Sequence, residues 1–347
     1  MKEEVERGTE EGFIHLLFRG KTTTSWHVGL KRFGDYLYTR TDILWGRGVR
    51  GPLLRQLWRT YCPLSDVRDR TPFVPEKDCP RCSMAADCPF NNLRGSPDEG
   101  EFKDRPRLIV TNLEFKDEVT PEVLALVARD ERFLGVVPGK GPVYVEYIPP
   151  GIRFEFEIVM MGEGARFADD VVRAVEVSLR FMGWGGLCNE GFGRGVVEEA
   201  VRRSFGEFER DFVEPVAERL EGGDEARLKI VPMLILDRDG GGYYTSITED
   251  REGFRRKLTN CINERYWQFY RDNIYVPVAD VSGKARPAEI SAWSRKEGCR
   301  KTFKGLSGEL VLHTERPLKA EEAKAIAVCR YGVGRFKNQG FGSLILM

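Results

Sequence analysis

Two glycine-rich segments constrain this chain more than any other feature. Gly183-Trp-Gly185-Gly-Leu-Cys-Asn189-Glu-Gly191-Phe192-Gly193 and Gly332-Val-Gly334-Arg-Phe-Lys-Asn338-Gln-Gly340-Phe341-Gly342 share four glycines, an asparagine and a phenylalanine at identical spacing. A strand pattern and a helical pattern precede each: Phe154–Met160 with Asp169–Phe181, and Glu309–Leu312 with Lys319–Tyr331. A short apolar strand follows each, at Val196-Val197 and at Leu344–Leu346. Agreement of spacing and context together points to duplication of one structural unit.

The rest of the chain divides around that repeat. Its 347 residues suit two or three domains, because single cores rarely grow past about 250–300 residues. The first predicted unit spans 1–200, with an insertion at 60–105 rich in Pro, Cys, Asp and Gly. Within it, Phe13–Phe18 and Arg107–Asn112 read as strands. Gly51–Cys62 reads as a helix opened by Pro52, and Thr120–Arg129 as a helix with a Thr cap. Residues 201–224 give a helix interrupted at Pro215, then the linker Glu221-Gly222-Gly223-Asp224; the second unit is 225–347. The expected fold class is therefore α+β. No apolar run reaches the length of a membrane span and no secretory signal is seen, so the chain is expected to be cytoplasmic with no membrane partner.

Formal net charge is zero, so bulk charge selects no partner, but its distribution does. Arg19, Lys21, Lys31, Arg32, Arg40, Arg47, Arg50, Arg55 and Arg59 cluster against only Asp35 and Asp42, a footprint suited to a phosphate backbone. A solvated face balanced by distant acids is the alternative. Trp26, Phe33, Tyr36, Tyr38 and Trp45 interleave with these cations and could either stack bases or fill the core. The glycine segments let backbone N–H groups approach a phosphate or ribose, with Arg194, Arg335 or Lys337 adding charge; a turn that binds nothing is the competing reading. Mononucleotide loops are excluded. Gly20-Lys21-Thr22 lacks the upstream glycine of a P-loop, and Gly191-Phe-Gly193-Arg-Gly195 follows a helix, not a strand.

Of the eight cysteines, Cys62, Cys79, Cys82 and Cys88 have the C-x2-C knuckle and flanking thiols of a structural S4 zinc site, with free thiols or a redox pair as alternatives. Such a site leaves no open position for catalysis. Asp35, or its rival Asp42, could orient or deprotonate an RNA 2′-hydroxyl or help hold a divalent cation for cleavage. His27, with Lys21 or Lys31, would serve a metal-independent ribonuclease; a turn aspartate and a packed loop histidine are the plain readings of Asp35 and His27.

An ordered set of segments resembles the RAMP superfamily of CRISPR proteins, most closely the Cas7-like backbone subunit of type III-A (Csm) effector complexes. It comprises Leu44-Trp-Gly46-Arg-Gly48-Val-Arg50-Gly51-Pro-Leu-Leu-Arg55, Arg107-Leu-Ile-Val110, Glu146-Tyr-Ile-Pro149-Pro-Gly151-Ile-Arg-Phe154-Glu-Phe156-Glu and Gly185 through Gly195. Cys79-Pro-Arg-Cys82 sits where that family carries a CxxC insertion. The resemblance implies two ferredoxin-like (RRM-like) domains with glycine-rich loops plus a zinc-stapled insertion, and an antiviral ribonucleoprotein role. The chain would bind single-stranded RNA, both CRISPR RNA and target RNA, largely independently of sequence, beside other subunits of a CRISPR effector complex. RNA contacts are expected from Lys21, Arg32, Arg40, Arg47, Arg50, Arg55, Gly185, Gly191, Gly193 and Arg194, the Arg47 turn and the first glycine loop together forming the seat. Asp35 is the expected endonuclease residue, acting on target RNA within the assembled complex. The family's aspartate segment is not intact here, and Arg47 and Gly48 replace two of its serines. Two other functions stay open: a stand-alone endoribonuclease that processes CRISPR repeat RNA, and a structural assembly protein without RNA affinity.

Overall fold

Alternating apolar residues in the first strand set the architecture, because each face of that strand serves a different core. The computed structural model describes residues 12–62, 79, 82–94, 106–127, 141–294 and 299–347, with backbone only at 292–294 and 299–300. The first lobe runs β1 (Phe13–Thr22), β2 (Gly29–Phe33), β3 (Tyr36–Thr39), β4 (Ile43–Leu44), α1 (Gly46–Tyr61), α2 (Pro89–Arg94), β5 (Leu108–Val110), β6 (Leu113–Phe115), β7 (Glu122–Leu126), β8 (Val143–Tyr147), β9 (Arg153–Met161), α3 (Ala168–Val177) and β10 (Gly195–Arg203). Short helices α4 (Phe205–Phe208) and α5 (Glu214–Leu220) lead to the second lobe: β11 (Glu225–Leu234), α6 (Arg251–Tyr270), β12 (Val278–Ser282), β13 (Ala285–Ser294), β14 (Cys299–Thr314), α7 (Ala320–Ala327) and β15 (Ser343–Leu346).

In the first sheet β1 lies between β9 and β10, antiparallel to both, and β9 carries β5 and β6 on its far side. In the second, β11 lies between β14 and β15, and β14 carries β12 and β13. Each lobe therefore follows a βαββαβ path with the ferredoxin-like strand order, fourth beside first beside third beside second. The duplication read from the glycine segments extends to whole lobes.

The first sheet is covered on both faces. Leu16, Phe18, Phe154, Phe156, Ile158 and Met160 join Val49, Leu53 and Leu57 of α1 and Val171 and Val175 of α3 in one core. Residues of opposite parity, Phe13, Val159 and Met161, join a second core with Phe208, with Phe254, Leu258 and Phe269 of α6, and with Ile326 of α7. Charge is buried in that second core. Glu157 accepts hydrogen bonds from Arg330 at 2.6 Å, Tyr331 at 2.6 Å and His15 Nε2 at 2.8 Å, so four side chains from both lobes meet at one carboxylate. Burial works to raise the Glu157 pKa, but Arg330, His15 and Tyr331 overcome it and bring the group to about 2.

Two sequence expectations are corrected. The helix expected over 120–129 is absent from its described residues, 120–127; Glu122–Leu126 is strand β7, paired antiparallel with β8 from Glu122↔Tyr147 to Leu126↔Val143. A run this short gains more from an available strand edge than from nucleating a helix. Helix α1 begins at Gly46, five residues before the expected start, with Pro52 inside it. The insertion expected at 60–105 falls largely outside the described residues, which include only 60–62, Cys79 and 82–94 of it.

Candidate nucleic-acid interface

The two glycine loops adopt the same backbone. Gly183, Gly185, Leu187, Gly191 and Gly193 have φ of 76°, 93°, 58°, 87° and 83°; Gly332, Gly334, Phe336, Gly340 and Gly342 have 92°, 74°, 57°, 83° and 66°. Repeated positive φ explains the glycines, since other side chains are strained there. Each loop closes on itself, Trp184 N donating to Gly193 O at 2.8 Å and Val333 N to Gly342 O at 2.9 Å. Each is also laced to the segment that continues its lobe's first strand. Gly193 N and Gly186 N donate to Ser25 O and His27 O, while Gly342 N and Arg335 N donate to Met233 O and Ile235 O.

Their surroundings differ. At Gly191 a Cβ would meet nothing within 4 Å, and Gly185, Asn189, Glu190 and Arg194 are exposed around it. At Gly340 a Cβ would collide with Asn112 Oδ1 and meet Gly46 N at 2.9 Å. Asn112 is the connector: its Oδ1 accepts from Gly46 N at 2.9 Å and its Nδ2 donates to Gly340 O at 2.8 Å. The opposite side of the second loop is tied by Arg265, buried in α6, which donates to Gly332 O at 2.5 Å and to Asn338 Oδ1 at 3.4 Å. Burial lowers the Arg265 pKa to about 10.

The start of α1 thus meets the second loop, not the first. No hydrogen bond, ion pair or ring contact joins the Gly183–Gly193 loop to Trp45–Arg50 among the described residues. Around this helix start three guanidinium groups are desolvated. Burial lowers the Arg47 pKa with no acid to offset it, lowers Arg40 against only a partial opposing effect of Asp42, and lowers Arg50 to about 10. Among the described residues none of the three forms a salt bridge. Arg40 lies over the Trp45 ring at 4.5 Å, and Trp45 packs edge-on against Phe341 of the second loop at 5.4 Å. Arg50 donates to the carbonyls of Leu93 and Arg94, but its Nε is buried without a partner, as is Trp45 Nε1. Cationic, desolvated groups at the positive end of a helix dipole form an anion-seeking arrangement.

The remaining sequence candidates are spread more widely. Lys21 pairs with Glu198 at 2.6 Å, while Arg55 and Arg194 are exposed and make no ion pair among the described residues. Arg32 donates to Gly34 O and lies 3.7 Å from Asp35, which occupies the exposed β2–β3 turn. Asp42 is exposed just before β4. His27 is only 6% exposed and its Nδ1 lies 2.9 Å from Glu146 O, beneath Gly186. His15 is consumed by Glu157, and Trp26 is core, its indole N–H donating to Arg194 O at 2.7 Å. Cys62 follows α1, Cys79 and Cys82 share a turn, and Cys88 precedes α2. Among the described residues no three His, Cys, Asp or Glu side chains are grouped as metal ligands. Asn112 and Arg265, which hold the second loop, were not foreseen; the only signal was an asparagine ending the Arg107–Asn112 strand.

These features define a duplicated α+β protein with one glycine loop open to solvent, the other built into the lobe junction, and arginines at that junction that form no salt bridge among the described residues. The RAMP superfamily profile matches residues 19–198, just over half the chain, and the chain belongs to that superfamily. Among solved structures it is similar to a chain of the type III-B Cmr-beta complex bound to cognate target RNA, at 14% identity and TM-score 0.37, over 58% of this chain. It spans 65% of the length of that chain. A Cas6 product complex matches at 12% identity and TM-score 0.43, covering 96% of this chain and all of the other. Thermus thermophilus Cas6 matches at 11% identity and TM-score 0.41, covering 97% and 98%. No curated protein matches the chain significantly. No described helix is long and apolar enough to cross a membrane.

Proposed function

We propose that the chain is a CRISPR RNA-binding backbone subunit of a type III interference complex, holding single-stranded RNA largely without regard to sequence. One observation carries this reading: Arg40, Arg47 and Arg50 are desolvated around the start of α1 and form no salt bridge among the described residues, with only Asp42 acting partially on Arg40. Guanidinium groups in that state favour a bound anion, and a ribose-phosphate strand supplies anions at regular spacing. The exposed Gly185–Arg194 loop is a second, separate contact for the same strand. Asp35 at the β2–β3 turn is the proposed cleavage residue inside the assembly. A divalent cation there would take its other ligands from RNA, since the described residues offer no cluster to hold it.

Structural zinc belongs to the same proposal. Burial raises the thiol pKa values of Cys79 and Cys88, and the nearby Cys62 and Cys82 thiols add to that rise. The spacing of Cys62, Cys79, Cys82 and Cys88 suits a divalent ion, which would hold the insertion as a staple once it draws together thiols that are not grouped as ligands among the described residues.

A stand-alone endoribonuclease needs an accessible base, and the burial of His27 speaks against that role for it. Filter binding of unstructured RNA across a salt series tests the main reading. The wild type binds with a steep salt dependence, and Arg47→Ala weakens binding and lowers the slope by about one. Salt-independent binding, or none at low salt, refutes it.

A further inference from the structure

The small four-stranded sheet β2-β3-β8-β7 stands apart from both ferredoxin-like sheets and carries an aromatic face. Cross-strand register places Phe33 opposite Tyr36, Lys31 opposite Tyr38, and Tyr36 opposite Tyr144 across the central parallel pair. Residues opposite one another share a face, so Phe33, Tyr36, Tyr38, Tyr144 and Lys31 project together. Ring centroids lie 4.6 Å apart for Tyr36 and Tyr38, and 6.2 Å for Tyr36 and Tyr144 with planes inclined by 21°. The Lys31 ammonium sits 4.8 Å over Tyr38. Phe33 is 78% exposed and Tyr144 43% exposed, far from the usual fate of such side chains.

We infer that this face is a base-stacking platform for unpaired RNA, an inference that rests on the RNA-binding reading above and assigns a second element of it. Rings accept any base face, and three of the four carry a hydroxyl group. Aliphatic side chains, which would suit a protein partner, are represented on this face by Val123 and Ala125 on the edge strand. The acid on the face, Glu146, accepts from Thr39 N at 3.0 Å and also acts on Tyr36, while Lys31 gives the face its cation. Asp35 lies in the turn between Phe33 and Tyr36, so bases held on these rings bring their backbone to that carboxylate.

Phe33→Ala with Tyr144→Ala in the full chain tests the inference, because both side chains are exposed and the change leaves the cores intact. Binding is measured to a short oligo(A) and to an abasic ribose-phosphate oligomer of equal length, with photo-crosslinking of 5-iodouridine RNA to the wild type. The double variant loses about five- to 150-fold affinity for oligo(A), keeps its affinity for the abasic oligomer and keeps its salt slope. Crosslinks map to Phe33, Tyr36, Tyr38 or Tyr144. Unchanged oligo(A) binding with Arg47→Ala still defective overturns the platform alone. A wild type that binds neither oligomer overturns both readings. A change in oligomeric state of the double variant, without change in RNA affinity, assigns the face to a second copy and also overturns it.

Discussion

Glu157→Gln is the sharpest test of how the lobes hold together. The carboxylate sits in the core between them, bound by Arg330 at 2.6 Å, Tyr331 at 2.6 Å and His15 at 2.8 Å. Its pKa is depressed from 4.5 to about 2, which at 1.36 kcal/mol per tenfold makes its ionised form worth about 3 kcal/mol. A depressed carboxyl pKa contributes stability that is fully present above the unfolded value and lost as pH falls through the folded one. The contribution is therefore intact above about pH 5 and gone below about pH 2. Glutamine keeps the shape but leaves the Arg330 guanidinium without its charge partner, a loss of about 3–5 kcal/mol. Urea unfolding followed by tryptophan fluorescence, at about pH 7 and about pH 2.5, measures both effects. The variant is destabilised at neutral pH, and the difference from wild type shrinks towards zero in acid. A neutral-pH loss below about 1 kcal/mol, or equal losses at both pH values, refutes the account of Glu157 as an ionised link.

Three further outcomes follow from the loops and the cysteines. Asn112→Leu removes both hydrogen bonds between the start of α1 and the second loop, lowers stability by about 2 kcal/mol and weakens RNA binding, as urea titration and filter binding would report. Gly193→Ala forces a Cβ into the Trp184 backbone and costs several-fold more stability than Gly191→Ala, whose Cβ meets open space and bears only the positive-φ penalty of about 1 kcal/mol; thermal melts compare them. Metal analysis of purified protein finds about one zinc per chain, lost in Cys82→Ser, with protease cleavage between Cys62 and Cys88 rising in step.

Much of the fold was legible because its devices are local. Positive-φ glycines, a helix before them and a strand after them mark both loops in sequence, and the structure gives both the same dihedral angles. The start of α1 was misread for a physical reason. The apolar helical spacing and Pro52 set the expected start at Gly51, yet the helix begins at Gly46, where a Cβ would come within 2.5 Å of Val110 O and 2.8 Å of Gln339 O. That crowding involves a loop almost three hundred residues away, which no local pattern can show. Asn112 and Arg265 were hidden for the same reason, since their partners belong to distant glycine-loop backbone. The segment 120–129 carries a helical repeat, but its residues 122–126 lie beside β8, and strand pairing decides their state. Aromatic residues among the basic ones could not be sorted by sequence: Trp26 is core, while Phe33 stands in solvent.

Duplication followed by divergence of surroundings accounts for how one loop geometry can serve two purposes. At the last shared positive-φ turn before the Phe, the first copy leaves Gly191 open, and the second covers Gly340 with Asn112 and Gly46. Because that cover is the N-terminus of α1, locking the second loop also fixes where Arg40, Arg47 and Arg50 stand. The arginines lose water at this junction without forming a salt bridge among the described residues, and under the proposed function a rigid seat of that kind would bind phosphate at little entropic cost. If this reasoning holds, the two loops are not interchangeable. Alanine at Gly191 changes a surface at no more than the positive-φ penalty of about 1 kcal/mol, whereas alanine at Gly340 parts the lobes and scatters the arginines together.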